Sequence, residues 1–340
     1  MNPDISVIIP TINDPYLLRT IKDVRENADG DIEFIVVNDG GDFDLPLYDQ
    51  GSIVYHPETL GRRVSINQAA LLATGKYLFI LDAHCSMSKG WDTKMKESCH
   101  DGRLVYCVIR DMDPKTWQYR PGDYLHVRLN HEWTEKWWSR KKLKDCEIEE
   151  ESMTITGCAW MIERDRYWRL GGYDESLGPY GWDGPEWTCK IWMGENPSKV
   201  ILRTDVICGH IFGTNDGSKL YSVSMIPKDE YIAYMEVKWG GKVQALADYF
   251  GDVPEWITPK KKGKDVGTKR KVVVHRNDES ITKDEKGTVT KKVIEYYEYI
   301  YTDDGNGPTE AEIAEKYGPK AKKIREEVWE LKDGTLQKVA

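Results

Sequence analysis

Gly75-Lys76-Tyr77-Leu78-Phe79-Ile80-Leu81-Asp82-Ala83-His84 decides the reading of this chain. Tyr77 to Leu81 is an apolar run with no polar residue alternating in it, as in a strand covered on both faces. The run ends in a carboxylate and an imidazole two positions apart. On a strand-ending loop such a pair can face one cation together. A hard divalent ion accepts mixed oxygen and nitrogen ligands and keeps positions open for others. Alone, Asp-x-His is a weak three-residue signal, and a plain surface loop is the alternative.

The segments before it repeat the pattern. Ile5-Ser6-Val7-Ile8-Ile9, stopped by Pro10, reads as a buried parallel strand. Leu17, Leu18, Ile21 and Val24 recur at helical spacing, with Asn13 or Asp14 as the cap. Phe34-Ile35-Val36-Val37 is a second strand ending in the turn signal Asn38-Asp39-Gly40-Gly41. Ile53-Val54-Tyr55 is a shorter strand, and Ser65 to Ala73 a helix. Strands alternating with helices predict a doubly wound, mostly parallel α/β sheet. Ligands of such sheets bind beyond the carboxyl ends of the strands. That selects Pro10 to Asn13, Asn38-Asp39 and Asp82 to His84.

Composition changes near Glu255. Thr258 to Lys264 reads as a linker. Val272-Val273-Val274 and Val293 to Tyr297 read as strands of a small hairpin. Thr309 and Glu312 make a capping box before a helix broken at Gly318-Pro319, and a further helix is expected to run to Leu331. The expected organisation is a catalytic α/β domain over residues 1–254 and a small α+β appendage over 255–340.

The 340 residues suffice for both. The net charge of -9 disfavours a purely electrostatic nucleic-acid binder. The charge is uneven, because Lys260 to Arg276 holds eight basic residues and one acid, Asp265. That stretch is either a solvated linker or a contact with phosphate. No run of eighteen apolar residues exists, so no membrane span is expected. Met1-Asn2-Pro3-Asp4 carries no signal-peptide pattern. Seven cysteines without C-x-x-C spacing point to free thiols. The expected location is therefore the cytoplasm, or the host cytoplasm if the chain is viral.

Further segments stand in order: Val7-Ile8-Ile9-Pro10-Thr11, then Ile35-Val36-Val37-Asn38-Asp39-Gly40-Gly41, then Leu60-Gly61-Arg62-Arg63-Val64-Ser65-Ile66-Asn67-Gln68-Ala69, then the opening stretch. The series resembles the nucleotide-sugar-binding half of GT-A glycosyltransferases, family 2 above all. Asp82-Ala83-His84-Cys85, followed by Trp91, is similar to the polypeptide N-acetylgalactosaminyltransferases. Thr156-Gly157-Cys158-Ala159-Trp160-Met161-Ile162 resembles the strand that lines their sugar pocket. Leu170-Gly171-Gly172-Tyr173-Asp174-Glu175 resembles their G-x-Y/F-D-E element. Gly181-Trp182-Asp183-Gly184-Pro185-Glu186, with Lys190 and Trp192, stands where they have W-G-G-E-N-x-E and a downstream Arg and Trp. Cys208-Gly209-His210-Ile211-Phe212 resembles their G-H-V-F. The resemblance covers residues 4–245.

The resemblance implies a GT-A fold and transfer of a sugar from a UDP-sugar to a hydroxyl, with Mn2+ or Mg2+ as cofactor. It places Asp39 at the uracil or ribose, with Pro10, Thr11 and Asn13 nearby. Arg62 or Arg63 would hold the nucleotide, and Asn67, Ala83, Gly157 and Trp182 would belong to the same donor site. Asp82, His84 and His210 would bind the ion, which also calms developing charge on the leaving diphosphate. Asp183 and Glu186 are the candidate catalytic carboxylates. One of them would act as general base in an inverting reaction, or would only hold donor hydroxyls in a retaining one. A helix N-terminal acid is the plainer alternative. Departures are visible: Asp183 for Glu, Trp182 for a glycine, Asn13 for His and Gly213 for Arg. The Gln-x-Trp pattern of the family's lectin domain is absent from residues 255–340.

The acceptor is not written in these motifs. Soluble character, the Lys260–Arg276 stretch and the Trp- and Arg-rich segment 117–140 point to a hydroxymethylated base in DNA, as in phage DNA modification, reached through the major groove or by flipping. A protein side chain or a cell-surface glycan is the alternative. Trp117, Trp133, Trp137 and Trp138, in an aperiodic segment over 111–150, would line an acceptor groove or pack a satellite core. Two other classes fit these residues less well. A sugar nucleotidyltransferase needs a glycine-rich basic loop after the first strand, and Pro10 to Asp14 is not one. A catalytically inactive sugar- or nucleic-acid-binding module would not need Asp82, His84, His210 and Asp183 together.

Overall fold

The computed structural model describes residues 3–42, 51–130, 132–138, 140–212 and 225–251, and the backbone of strands at 269–283, 289–302, 322–332 and 335–338. The chain divides into two units. Met1–Tyr173 with Gly178–Ser224 forms the first, and Asp174–Leu177 with Met225–Ala340 the second.

In the first unit the elements run β1 (Ile5–Thr11), α1 (Leu17–Glu26), β2 (Ile32–Asp39), β3 (Gly51–His56), α2 (Arg62–Leu72), β4 (Tyr77–Leu81), β5 (Cys85–Met87), α3 (Trp91–Ser98), β6 (Leu104–Asp111), β7 (His126–Leu129), β8 (Glu135–Trp138), β9 (Glu149–Glu151), β10 (Ala159–Glu163), α4 (Arg164–Arg169), α5 (Asp183–Met193) and β11 (Val200–His210). They build a nine-stranded sheet of order β3-β2-β1-β4-β10-β6-β11-β5, with β9 also on β11. The doubly wound α/β architecture expected from the sequence is present. Its first half, β3-β2-β1-β4, is wholly parallel. Its second half is mixed, since β10 runs antiparallel to both β4 and β6.

Unbroken apolar strands follow from cover on both faces. Ile5, Val7 and Ile9 pack with Leu17, Ile21 and Val24 of α1 and Trp91 and Met95 of α3. Ile8, Ile35, Val37, Leu78 and Ile80 pack with Ile66, Ala69 and Ala70 of α2 on the other side. Each such side chain, withdrawn from water, contributes about 1.5–3 kcal/mol. Pairing of β1 with β4 stops at Ile8, so Pro10 follows the end of that ladder and its missing N–H costs nothing there. All seven cysteines are free thiols.

The aperiodic segment contains order the sequence did not show. β7 and β8 form a two-stranded antiparallel ribbon, bridged from Val127 to Thr154. Its tryptophans split: Trp133 is buried, whereas Trp137 is 47% exposed. The N-cap of α1 is Tyr16 and carries no side-chain cap. Asp14 instead accepts the Tyr16 N–H at 2.8 Å, in the turn before the helix.

In the second unit, α6 (Lys228–Phe250) precedes an antiparallel sheet of order β12-β13-β14-β15. β12 (Lys269–Lys283) and β13 (Val289–Thr302) form the expected hairpin, longer than the two apolar runs alone. The helix expected to end at Leu331 is not formed. Lys322–Lys332 is strand β14, paired with β13 on one side and with β15 (Thr335–Lys338) on the other. Ile324, Val328 and Trp329 favour strands, and ladders on both sides outweigh a helical pattern. The expected linker at 258–264 and the capping box at 309–312 lie outside the described residues. No described helix is long and apolar enough to cross a membrane.

Candidate active site

After β1 the chain turns to β2 on one side and later to β4 on the other. The sheet order therefore reverses between β1 and β4, which opens a crevice at their carboxyl ends. Thr11 ends β1 and Asp82 follows β4, so two loops face each other there.

The opposite side of the sheet supplies a third strand end. β5 pairs antiparallel with β11, with His210 opposite Cys85. Ile211 N–H donates to the His84 carbonyl at 3.2 Å. His84 and His210 are thus neighbours, their rings 4.8 Å apart. One ligand atom from each of Asp82, His84 and His210 lies within 4.8 Å of the others. Among the described residues this is the only such His/Cys/Asp/Glu cluster.

The surroundings fit a divalent ion. His84 Nδ1 stands 2.8 Å from Asp14 Oδ2, with both side chains buried. A carboxylate on one ring nitrogen fixes the tautomer and leaves the other nitrogen for a metal. Burial lowers the His210 pKa against the pull of Asp82, with His84 and Arg62 lowering it further, so the ring stays neutral as a ligand must. Burial alone would raise the Asp82 carboxyl, but Arg62, His210 and His84 together hold it below the usual carboxylate range. Asp82 is therefore an anion throughout the physiological range.

Arg62 ties this cluster to the next. Its Nη1 lies 2.6 Å from Asp82 Oδ1, its Nη2 donates to Gly157 O at 2.6 Å, and its Nε lies 3.4 Å from Asp183 Oδ2. The helix start that aims it is specific. Gly61, the N-cap of α2, has φ +102°, and a Cβ there would stand 2.3 Å from Pro179 Cβ. Arg62 N–H then donates to Pro179 O at 2.7 Å.

Two cavities meet at Arg62 and Asp82. The smaller, about 450 Å3 of open space, is lined by Pro10, Thr11, Asp14, Asp39, Ala83 and His84. The larger, about 1110 Å3, is lined by Gly157, Trp182, Asp183, His210, Glu135 and Trp137 among others. Arg62, Asp82 and Tyr180 belong to both walls. Asp183 is buried and its Oδ1 has no protein partner. Burial raises its carboxyl pKa, although Arg62 and Arg63 pull the other way.

Other residues marked from sequence stand elsewhere. The Asp39 carboxylate lines the smaller cavity but already accepts the N–H groups of Leu60 and Gly61, both at 2.8 Å, and lies 2.6 Å from His56 Nδ1. Asn13, at φ +50°, is exposed. Arg63 is fully buried and pairs with Glu186, whose other oxygen lies 2.6 Å from Lys190 Nζ. That network lies behind the cleft wall. Asn67 is likewise buried, donating to Tyr173 O and accepting from Tyr167 and Tyr173.

Sequence reasoning missed Tyr180, the Asp14 contact with His84, and Glu135. Asp14 follows the loop expected to bind ligand, and Tyr180 precedes Gly181, so position gave a signal for both. Glu135 lies in an aperiodic stretch that gave none.

Residues 6–171 match the family model described as Glycosyl transferase family 2. The chain is 26% identical over 238 residues to polypeptide N-acetylgalactosaminyltransferase 13 of Drosophila melanogaster, covering 62% of this chain and 42% of that protein. It is 24% identical over 266 residues to human polypeptide N-acetylgalactosaminyltransferase 10, covering 68% and 43%. A crystal structure of GalNAc-T7 with UDP, GalNAc and Mn2+ is similar with a TM-score of 0.57 at 21% identity, over 73% of this chain and 50% of that one. The chain thus spans less than half the length of these curated relatives, and the structural likeness is one of fold.

Proposed function

We propose that the chain is a metal-dependent glycosyltransferase that moves a sugar from a UDP-sugar to a hydroxyl of a protein or glycan, a reading supported by the match of residues 6–171 to the glycosyl transferase family 2 model. The observation that carries this reading is the Asp82, His84, His210 cluster on the wall common to two cavities. One cavity, at the strand ends, suits a nucleotide. The other is larger and holds Asp183, whose Oδ1 has no protein partner.

A bound Mn2+ or Mg2+ supplies Lewis-acid neutralisation of the leaving diphosphate. The residues of the chain do the rest. Arg62 sets a fixed positive charge beside the same position. Asp183 presents its free oxygen to the sugar side, where it holds a donor hydroxyl or takes the proton of the acceptor. Gly157 lets the wall approach closely, since a Cβ there would sit 3.2 Å from Asp183 Oδ2.

The relatives, which by their names act on polypeptides, support this acceptor class. A hydroxymethylated base in DNA remains the second arm of an acceptor screen. Its support is the Lys260–Arg276 stretch, of which residues 260–268 lie outside the described residues.

The test is nucleotide release from a panel of UDP-, GDP- and TDP-sugars, with Mn2+ or with chelator. UDP release that needs the metal and disappears in Asp82→Ala supports the reading. Turnover that survives both chelator and Asp82→Ala sinks it.

A further inference from the structure

The larger cleft contains a third carboxylate besides Asp82 and Asp183. Glu135, on β8, faces it together with Asp183. We propose that Glu135 is a donor-specificity residue which, with Asp183, holds hydroxyls of the transferred sugar. The proposal rests on the transferase reading and names which side chains choose the sugar.

The geometry begins at Gly184, the second residue of α5. A Cβ on Gly184 would stand 2.3 Å from Glu135 Oε1. The Glu135 carboxylate therefore occupies the space that any side chain at 184 would take. Its Oε1 accepts the Gly184 N–H at 2.8 Å, at the positive end of the helix. One oxygen is thus anchored and the group is held rigid from outside the helix. Asp183, the preceding residue, offers its buried and unpartnered Oδ1 into the same cleft. A buried acceptor without a donor is costly unless a ligand supplies one.

Protonation makes the pair complementary. Burial, and then the neighbouring Asp183, push the Glu135 carboxyl up to about 7, against the pull of the Gly184 N–H. Two carboxyl groups in one desolvated site do not both ionise readily, so Glu135 is part-protonated near neutral pH. The pair therefore offers a donor as well as acceptors. That is the chemistry of a sugar hydroxyl, which both gives and takes a hydrogen bond. Arg62, Lys136, Cys158, Tyr180 and His210 are the other titratable groups facing the cleft, besides Asp82. A plain helix-bracing role for Glu135 would use only the Gly184 contact.

The experiment compares wild type with Glu135→Gln, Glu135→Ala and Gly184→Ala. Each is assayed with Mn2+ and the UDP-hexose that turns over best, and with its 2-, 3-, 4- and 6-deoxy analogues. Wild type should disfavour at least one deoxy donor by about 10- to 100-fold in kcat/KM. Glu135→Ala should lose that factor on the intact donor and none on that deoxy donor, so the preference collapses. Gly184→Ala, whose Cβ displaces the intact Glu135 and also presses the Ile155 carbonyl at 2.8 Å, should do the same. Glu135→Gln, which can still donate and accept, should keep most of it. Calorimetric binding of UDP with Mn2+ should stay unchanged throughout. Equal losses on intact and deoxy donors, or a loss of UDP binding alone, would show that Glu135 only braces α5 and overturn the proposal. Failure of wild type to turn over any UDP-sugar is seen before a variant is made. It removes the transferase reading, and this inference with it.

Discussion

His84 Nδ1 lies 2.8 Å from Asp14 Oδ2, so the ring that faces the Asp82 cluster is oriented by a carboxylate from the loop after β1. Orienting carboxylates of this kind are worth about 10- to 100-fold in metal affinity. Asp14→Asn should weaken Mn2+ binding by that factor, read by titration of the purified protein. Asn keeps the turn contact to Tyr16, so the melting temperature should barely move. Unchanged Mn2+ affinity would mean that His84 is not a ligand.

A metal held at the cluster would share the Asp82 carboxylate with Arg62, whose Nη1 sits 2.6 Å from Asp82 Oδ1. Arg62→Ala should therefore bind Mn2+ at least as tightly as wild type. It should transfer sugar about 100-fold more slowly, because a preorganised charge at the diphosphate is gone. Metal affinity and activity moving in opposite directions is the signature. A parallel loss of both would show Arg62 to be structural.

Glu186 is held between Arg63 and Lys190, and all three are buried. Removing one partner leaves uncompensated charge, at a cost of about 3–5 kcal/mol. Glu186→Ala should unfold at markedly lower denaturant concentration. Asp183→Asn should instead leave stability nearly unchanged and lower kcat. If the two phenotypes are exchanged, the roles assigned to these carboxylates are wrong.

His126 gives a pH prediction. It is 1% exposed and neither ring nitrogen has a protein partner. Burial, helped by Arg140 and Lys141 and opposed by Glu150, pushes its pKa down to about 4 from 6.5. The unfolded chain then binds the proton first. Stability is full above pH 6.5 and falls as pH drops from 6.5 towards 4, by up to about 3 kcal/mol. His126→Leu should remove that part of the slope in denaturant titrations between pH 7 and 4. An identical slope in both proteins would show that the ring reaches water.

The parallel half of the sheet was legible because its strands are covered on both faces and write themselves as apolar runs, as in Tyr77 to Leu81. The direction of β10 was not, since an apolar run such as Ala159 to Ile162 reads the same either way. The strand β14 escapes a sequence reading because its long ladder to β13 is non-local, while a helical pattern is local. Asp82 and His84 could be paired from spacing alone. His210 lies far along the chain, so it entered only through resemblance, and the β5–β11 pairing is what brings it alongside. Glu135 had no signal, because what makes it notable is the missing side chain at Gly184, 49 residues away.

Arg62, Asp82 and Tyr180 belong to both cavities, and this makes the wall between them a shared one. Two guests leaning on the same partition cannot be indifferent to each other. Whatever fills the strand-end cavity resets the surface that the second guest meets, and thermodynamic reciprocity requires the converse by the same factor. The residence time of spent nucleotide should therefore depend on whether an acceptor is seated. An acceptor affinity measured on the empty chain describes a different surface from the one it meets during turnover.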